Sequence, residues 1–159
     1  MVELNQAMKN VQEGKADERI MQVYGCRADE TKGYAERMTR VLEGFKETFG
    51  EAQVAVFTAP GRTELGGNHT DHQRGCVLAG SVNLDVVACA APNGTNVVRI
   101  LSEGYPKNEV DGTDLEIREE EKNSTAALIR GVLSAAAQRG YKVGGFDAYM
   151  TSNVLGGSG

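Results

Sequence analysis

Tryptophan is absent from this chain of 159 residues, and only two histidines occur. Three cysteines, Cys26, Cys76 and Cys89, are an odd number with no CxxC spacing. That excludes a disulfide scaffold and points to reduced thiols. No apolar run approaches the ~18 residues that span a bilayer. The N-terminus, MVELNQAMKN, lacks the basic region and apolar stretch of a signal peptide. Nor is there a basic surplus. Lys and Arg number 17 against 22 Asp and Glu, so binding to nucleic acid would lack its main electrostatic term. The expectation is a cytoplasmic protein with neither nucleic acid nor membrane as a partner.

What remains is ordinary, with 40% hydrophobic and 25% charged residues, which excludes a disordered chain. The length suits one domain with a real core. Leu4, Met8 and Val11, then Ile20, Met21 and Tyr24, predict two short helices around Gly14 that pack on the domain rather than form its core. Tyr34, Met38, Val41, Leu42, Phe45 and Phe49 recur at spacings of three and four over 30–49. They predict an amphipathic helix, capped by Asp29 or Thr31 and ended by Gly50. Gln53–Thr58 reads as a strand stopped by Ala59-Pro60-Gly61.

Beyond a glycine-rich loop at 61–75, Cys76–Ala91 and Asn96–Leu101 read as a hairpin around Pro92-Asn93-Gly94. Gly104–Gly112 reads as loop, Asp114–Arg118 as a short strand, and Glu119–Glu121 as a solvated face. Asn123 or Ser124 caps a helix whose stripe is Leu128, Ile129, Val132, Leu133 and Ala136, with Gly140 at the left-handed position after its end. Gly145–Val154 predicts a last strand. The order of elements is that of an α+β domain. After it stands Leu155-Gly156-Gly157-Ser158-Gly159. A strand feeding a glycine loop is how backbone N–H groups are aimed at phosphate; a flexible Gly/Ser tail fits these five residues equally well.

Both histidines lie in one polar segment, Ala59-Pro60-Gly61-Arg62-Thr63-Glu64-Leu65-Gly66-Gly67-Asn68-His69-Thr70-Asp71-His72-Gln73-Arg74-Gly75. Asp accepts two hydroxyl hydrogen bonds, His and Asn donate and accept, and Arg offers a charged fork suited to phosphate. The set suits a neutral polyol beside a phosphate, or else a plain surface turn. A zinc site on His69, Asp71 and His72 is disfavoured, because Gly67 stands where a metallohydrolase motif needs its first His and no further His exists.

This segment resembles the first signature of galactokinases, in the GHMP kinase superfamily, which reads G-R-x-N-L-I-G-E-H-T-D-Y-N-x-G. Gly61-Arg62, Leu65, Gly67, His69-Thr70-Asp71 and Gly75 match in register, with Ala59-Pro60 before and Val77-Leu78 after. Residues 155–159 look like the start of the second motif, P-x-G-x-G-L-S-S-S, with Leu155 in place of Pro. The resemblance implies the N-terminal half of a GHMP kinase, α+β and ribosomal-protein-S5-domain-2-like. Residues 29–159 would be the galactose-binding domain, incomplete at its C-terminus, and 1–28 a helical extension.

The implied activity is transfer of the ATP γ-phosphoryl group, with Mg²⁺, to the anomeric hydroxyl of a sugar. The catalytic Asp would lie beyond this chain, so residues 1–159 alone are expected to be inactive. By the same resemblance Arg62 lies beside the transferring phosphate, where its charge depresses the base's pKa and stabilises developing negative charge. Asn68, His69 and Asp71 contact sugar hydroxyls, and Gly156, Gly157, Ser158 and Gly159 belong to the phosphate loop. Partners are a small-molecule sugar and ATP. Glu64, Gly66, Asn68 and His72 depart from the pattern, where Asn, Ile, Glu and Tyr stand. Asn68 alters the sugar site itself and opens it to relatives such as arabinose or a uronic acid. A sugar- and nucleotide-binding sensor without turnover is the alternative on the same fold.

Overall fold

A computed structural model describes residues 1–67 and 70–154, with the backbone of Asp71 but not its side chain. The elements run β1 (Val2–Glu3), α1 (Leu4–Gln12), α2 (Asp17–Tyr24), α3 (Thr31–Phe49), β2 (Gln53–Gly66), β3 (Leu78–Pro92), β4 (Val97–Ser102), β5 (Asn108–Asp111), α4 (Thr125–Gln138) and β6 (Phe146–Ser152). The strands form one mixed sheet in the order β1-β2-β3-β6-β4-β5, parallel only between β4 and β6. The α+β expectation holds. No helix among the described residues is long and apolar enough to cross a membrane.

Strand register decides which face each residue serves. Ala91 pairs with Asp147, Asp147 with Arg99, and the Arg99 guanidinium lies over the Phe49 ring of α3. That face therefore packs on α1 and α3. Val41, Leu42, Phe45, Val54, Val87 and Cys89 are fully buried there, each side chain contributing about 1.5–3 kcal/mol of hydrophobic stabilisation. The alternate residues face the other way. At the β4–β5 end they meet α4 in a second core of Val98, Val110 and Leu133. Further along the same face, Ala55, Phe57, Ala88, Ala90, Ala148 and Met150 line an open apolar trough. Phe57 is accordingly 59% exposed.

Several expectations need correction. The N-terminal segment does not merely sit on the domain: Leu4, Ala7 and Val11 of α1 belong to the main core, and β1 pairs with β2. Asp29 and Thr31 do not cap α3; the Thr31 hydroxyl donates to the Ala28 carbonyl at 3.0 Å, while the Glu30 carboxylate accepts the Arg27 N–H at 2.7 Å. β2 is not stopped at Ala59-Pro60-Gly61 but continues to Gly66. Past Val54 its outer edge has no partner strand among the described residues, and its register shifts between Pro60 and Arg62. Edges and bulges are where strands tolerate proline.

The expected hairpin of β3 with β4 does not form, because β6 lies between them. The connection is held open for it. Asn93 N–H donates to the Gly145 carbonyl at 3.3 Å, and Gly145 N–H to the Thr95 carbonyl at 2.7 Å. Asn108–Asp111, read as loop, is a strand. Asp114–Arg118 is not one, since Asp114 accepts the Glu116 N–H at 3.1 Å and closes a turn.

Nor is Glu121 merely solvated. It grips the buried Arg130 of α4 through two bonds, at 2.9 and 2.7 Å, while Arg130 also donates to the carbonyls of Asp111 and Asp114. The buried stripe of α4 is thus rotated from the expected one. Arg130 and Leu133 are buried, with Ile129 and Ala126 packed alongside, while Leu128 and Val132 are 70% and 62% exposed. The cap by Ser124, whose side chain accepts the Ala127 N–H at 3.2 Å, and the left-handed Gly140 stand as expected.

Candidate functional site

The polar signature segment occupies the far half of β2 and the connection to β3. Arg62 pairs with Ser81, Glu64 with Ala79 and Gly66 with Leu78, so the segment opens from a two-stranded ladder. Alternation along a strand puts Arg62 and Glu64 on one face. Their side chains form an ion pair at 3.0 Å, with Glu64 the more buried. Glu64 stands where the galactokinase pattern has Asn, so the positive charge of Arg62 is partly balanced by its own strand. The sequence reading missed this pair because it ended the strand before Pro60; period-two alternation carried past that proline would have found it.

Two glycines shape the connection. Gly67 has a φ of +102°, and a Cβ on it would lie 2.5 Å from the Cys76 carbonyl oxygen and 2.8 Å from the Val77 Cα. Gly75 abuts Thr70, with a Cβ position 2.1 Å from the Thr70 hydroxyl. Its N–H donates to the Thr70 carbonyl at 2.8 Å, and the Thr70 hydroxyl donates to the Gly67 carbonyl at 2.8 Å. Residues 67 and 75–77 are therefore drawn together, and a single 3₁₀ turn at Asp71–Gln73 lies between them. His72 is exposed on that turn.

Asn68 and His69 lie outside the described residues, as do Gly156, Gly157, Ser158 and Gly159; of Asp71 only the backbone position is described. The structure thus places Arg62 and the 3₁₀ turn carrying Asp71 in one hairpin, and leaves the remaining expected contacts unplaced. Among the described residues no group of three or more His, Cys, Asp and Glu side chains is placed to hold a metal ion.

Two residues before Arg62 along β2, the strand passes a buried polar cluster that sequence reasoning missed entirely. Asp85 of β3, 1% exposed, pairs across the ladder with Pro60. Its carboxylate accepts from Arg37 of α3 at 2.6 Å and Tyr24 of α2 at 2.6 Å, and also from the hydroxyl of Thr58. Tyr24 in turn stacks on Tyr34, ring centroids 4.0 Å apart. Burial pushes the Asp85 carboxyl up, but hydrogen bonds from Thr58, Tyr24 and Arg37, with the Arg37 charge, outweigh it and hold the group below the ordinary carboxylate range. Burial and the bond to Asp85 push the Tyr24 phenol up to about 12. The one hint in the sequence was an acidic residue, Asp85, inside an apolar strand.

Residues 43–92 match the galactokinase galactose-binding signature. That span runs from the end of α3 through β2 and the glycine-bounded turn to the end of β3. The fold is similar to that of the Lactococcus lactis galactokinase solved in complex with galactose, with a TM-score of 0.62 and 27% identity. The match covers 72% of this chain and 30% of that one. The galactokinase resemblance is thus carried by sequence across 43–92 and by fold.

Proposed function

We propose that the hairpin of β2 and β3 is a sugar site and that this chain is the sugar-binding part of a galactokinase. The observation that carries the reading is a coincidence of sequence and geometry. The galactose-binding signature spans a connection closed by two sterically constrained glycines, with Arg62 on the strand entering it. In this reading Asp71 accepts hydrogen bonds from two neighbouring sugar hydroxyls, and Asn68 and His69 complete the hydroxyl contacts. Arg62 faces the phosphoryl group in transit, where a fixed cation stabilises charge that builds only in the transition state.

The reaction proposed for the complete protein is transfer of the ATP γ-phosphoryl group to the anomeric hydroxyl of galactose. ATP supplies the phosphoryl group and Mg²⁺ neutralises its oxygens. Residues 156–159 are the expected phosphate loop, and no ligand is assigned to the ion. The open apolar trough of the sheet supports a setting within a larger fold, since a face of this kind is normally covered by a further layer. Residues 1–159 alone are proposed to bind sugar without transferring phosphate.

Galactose-dependent ADP release by the complete protein tests the reading, run over a panel including arabinose and galacturonate. Turnover with galactose and not glucose supports it; ADP release indifferent to every sugar rejects it. The same panel on Asn68→Glu decides the role of position 68. We expect the ranking of sugars to narrow toward galactose, and an unchanged ranking removes Asn68 from specificity.

A further inference from the structure

We propose that Asp85 is a positioning residue of the sugar site, fixing the register at which β2 delivers Arg62; the inference rests on the sugar-site reading above. A buried carboxylate is costly to desolvate, and an apolar side chain in its place is often as stable or more so. Its best-attested use is to specify register, and Asp85 sits where the register changes. Pro60 pairs with Asp85, yet Arg62 pairs with Ser81, so Val82, Asn83 and Leu84 stand opposite Gly61 alone. The extra residues belong to β3, and a bulge bends the strand that carries it, so β3 is redirected just before the residue that pairs with Arg62.

Asp85 closes the regular ladder on the near side of that bulge and is clamped from every side. Thr58 holds it from β2, Arg37 from α3 and Tyr24 from α2. Arg37 also donates to its carbonyl at 3.3 Å. Asn153, just past β6, takes both backbone groups: its side-chain oxygen accepts the Asp85 N–H at 2.6 Å, and its own N–H donates to the Asp85 carbonyl at 3.1 Å. Asn153 leads to Val154, whose Cγ2 lies 3.2 Å from the Cβ position of Gly61, as does the Leu84 carbonyl oxygen. The backbone immediately before Arg62 is therefore boxed in by Leu84, Val82 and Val154; Leu84 adjoins Asp85 in the chain, and Val154 adjoins Asn153, which bonds the Asp85 backbone. Through Tyr24, the N-terminal helices become part of the site's foundation.

The test uses the 159-residue chain, with NMR contacts reporting register and calorimetry reporting galactose affinity. In Asp85→Asn we expect loss of the Arg62–Ser81 cross-strand contact, retention of the Val56–Cys89 contact, and about tenfold or greater loss of affinity, as misplacement of a site group produces. Tyr24→Phe, a milder change should Asp85→Asn not fold, should weaken binding about threefold, as one lost hydrogen bond does. Leu133→Ala, in the second core, serves as a control that lowers stability and leaves both readouts unchanged. The proposal is overturned if Asp85→Asn folds and keeps the Arg62–Ser81 contact. An affinity loss in Leu133→Ala matching that of Asp85→Asn also overturns it, as does unchanged affinity in Tyr24→Phe when Asp85→Asn cannot fold. A wild type that binds no galactose rejects the sugar reading instead, and the register contacts in Asp85→Asn and Tyr24→Phe then decide the positioning claim.

Discussion

Gly66 and Gly67 are neighbours in sequence and opposites in structure, which makes alanine at each a paired experiment. Nothing lies within 4 Å of a Cβ on Gly66. At Gly67 the same methyl meets the Cys76 carbonyl oxygen at 2.5 Å and the Val77 Cα at 2.8 Å, both backbone atoms, on a residue with φ of +102°. The left-handed backbone costs a side-chain-bearing residue about 1–2 kcal/mol. Forcing a methyl against fixed atoms adds about 1–3 kcal/mol. The sum, about 2–5 kcal/mol, exceeds what a surface loop needs to open locally, so the loop should open while the sheet stays folded. If sugar binds only the closed loop, a penalty of about 2–5 kcal/mol weakens it roughly 30- to 5000-fold. Calorimetric titration with galactose reads the affinity. Hydrogen exchange at the Gly75 amide, which donates to the Thr70 carbonyl at 2.8 Å, reads loop closure. Gly66→Ala should stay within about threefold of wild type. Equal affinity in the two alanine variants would refute the reasoning.

Three further outcomes are expected. Arg62→Ala in the complete protein should lower kcat by about 10²-fold or more with little change in sugar affinity; a raised KM at unchanged kcat would make Arg62 a ground-state contact only. Leu4→Ala should cost about 2–5 kcal/mol in urea unfolding, because Leu4 is 0% exposed in the main core; a change near zero would return the N-terminal segment to the surface. Stability should fall at both ends of the pH range. The folded Asp85 carboxyl lies below its unfolded value of about 3.9, so its contribution is complete above that pH and is lost as pH falls through the folded value. The folded Tyr24 phenol is raised to about 12, so its contribution is complete below its ordinary value of 10.0 and is lost as pH rises toward 12. Urea midpoints across pH check both; Tyr24→Phe should reduce the alkaline loss, and the remainder comes from groups such as the buried Cys89 thiol, pushed up to about 12.

Helix α3 and strand β6 were legible because their apolar residues keep a period, and β3 and the first half of β2 because they are β-branched and apolar runs, whereas β2 beyond Thr58 was not. The signature segment was legible because its residue types and spacing are specific. What escaped had non-local causes. β6 lies between β3 and β4 through backbone bonds of Gly145 to Asn93 and Thr95, partners some fifty residues away in sequence that no local turn signal reveals. The stripe on α4 rotated because Arg130 is buried by Glu121 and two carbonyls, a polar anchor that hydrophobic periodicity counts as solvent-facing. Asp85 and Tyr24 meet across 61 positions of sequence. The chemistry proposed to face the sugar was read from pattern, while the buried cluster around Asp85 appears only once the chain is folded.

The central claim is that the β2–β3 connection holds a sugar. Its most direct test is titration of isotopically labelled 1–159 with galactose, followed amide by amide. The account predicts saturable shifts between Gly61 and Val77, absent with glucose, and none along Thr125–Gln138 of α4. Saturable shifts that avoid the 61–77 segment, or none at any galactose concentration, would contradict it.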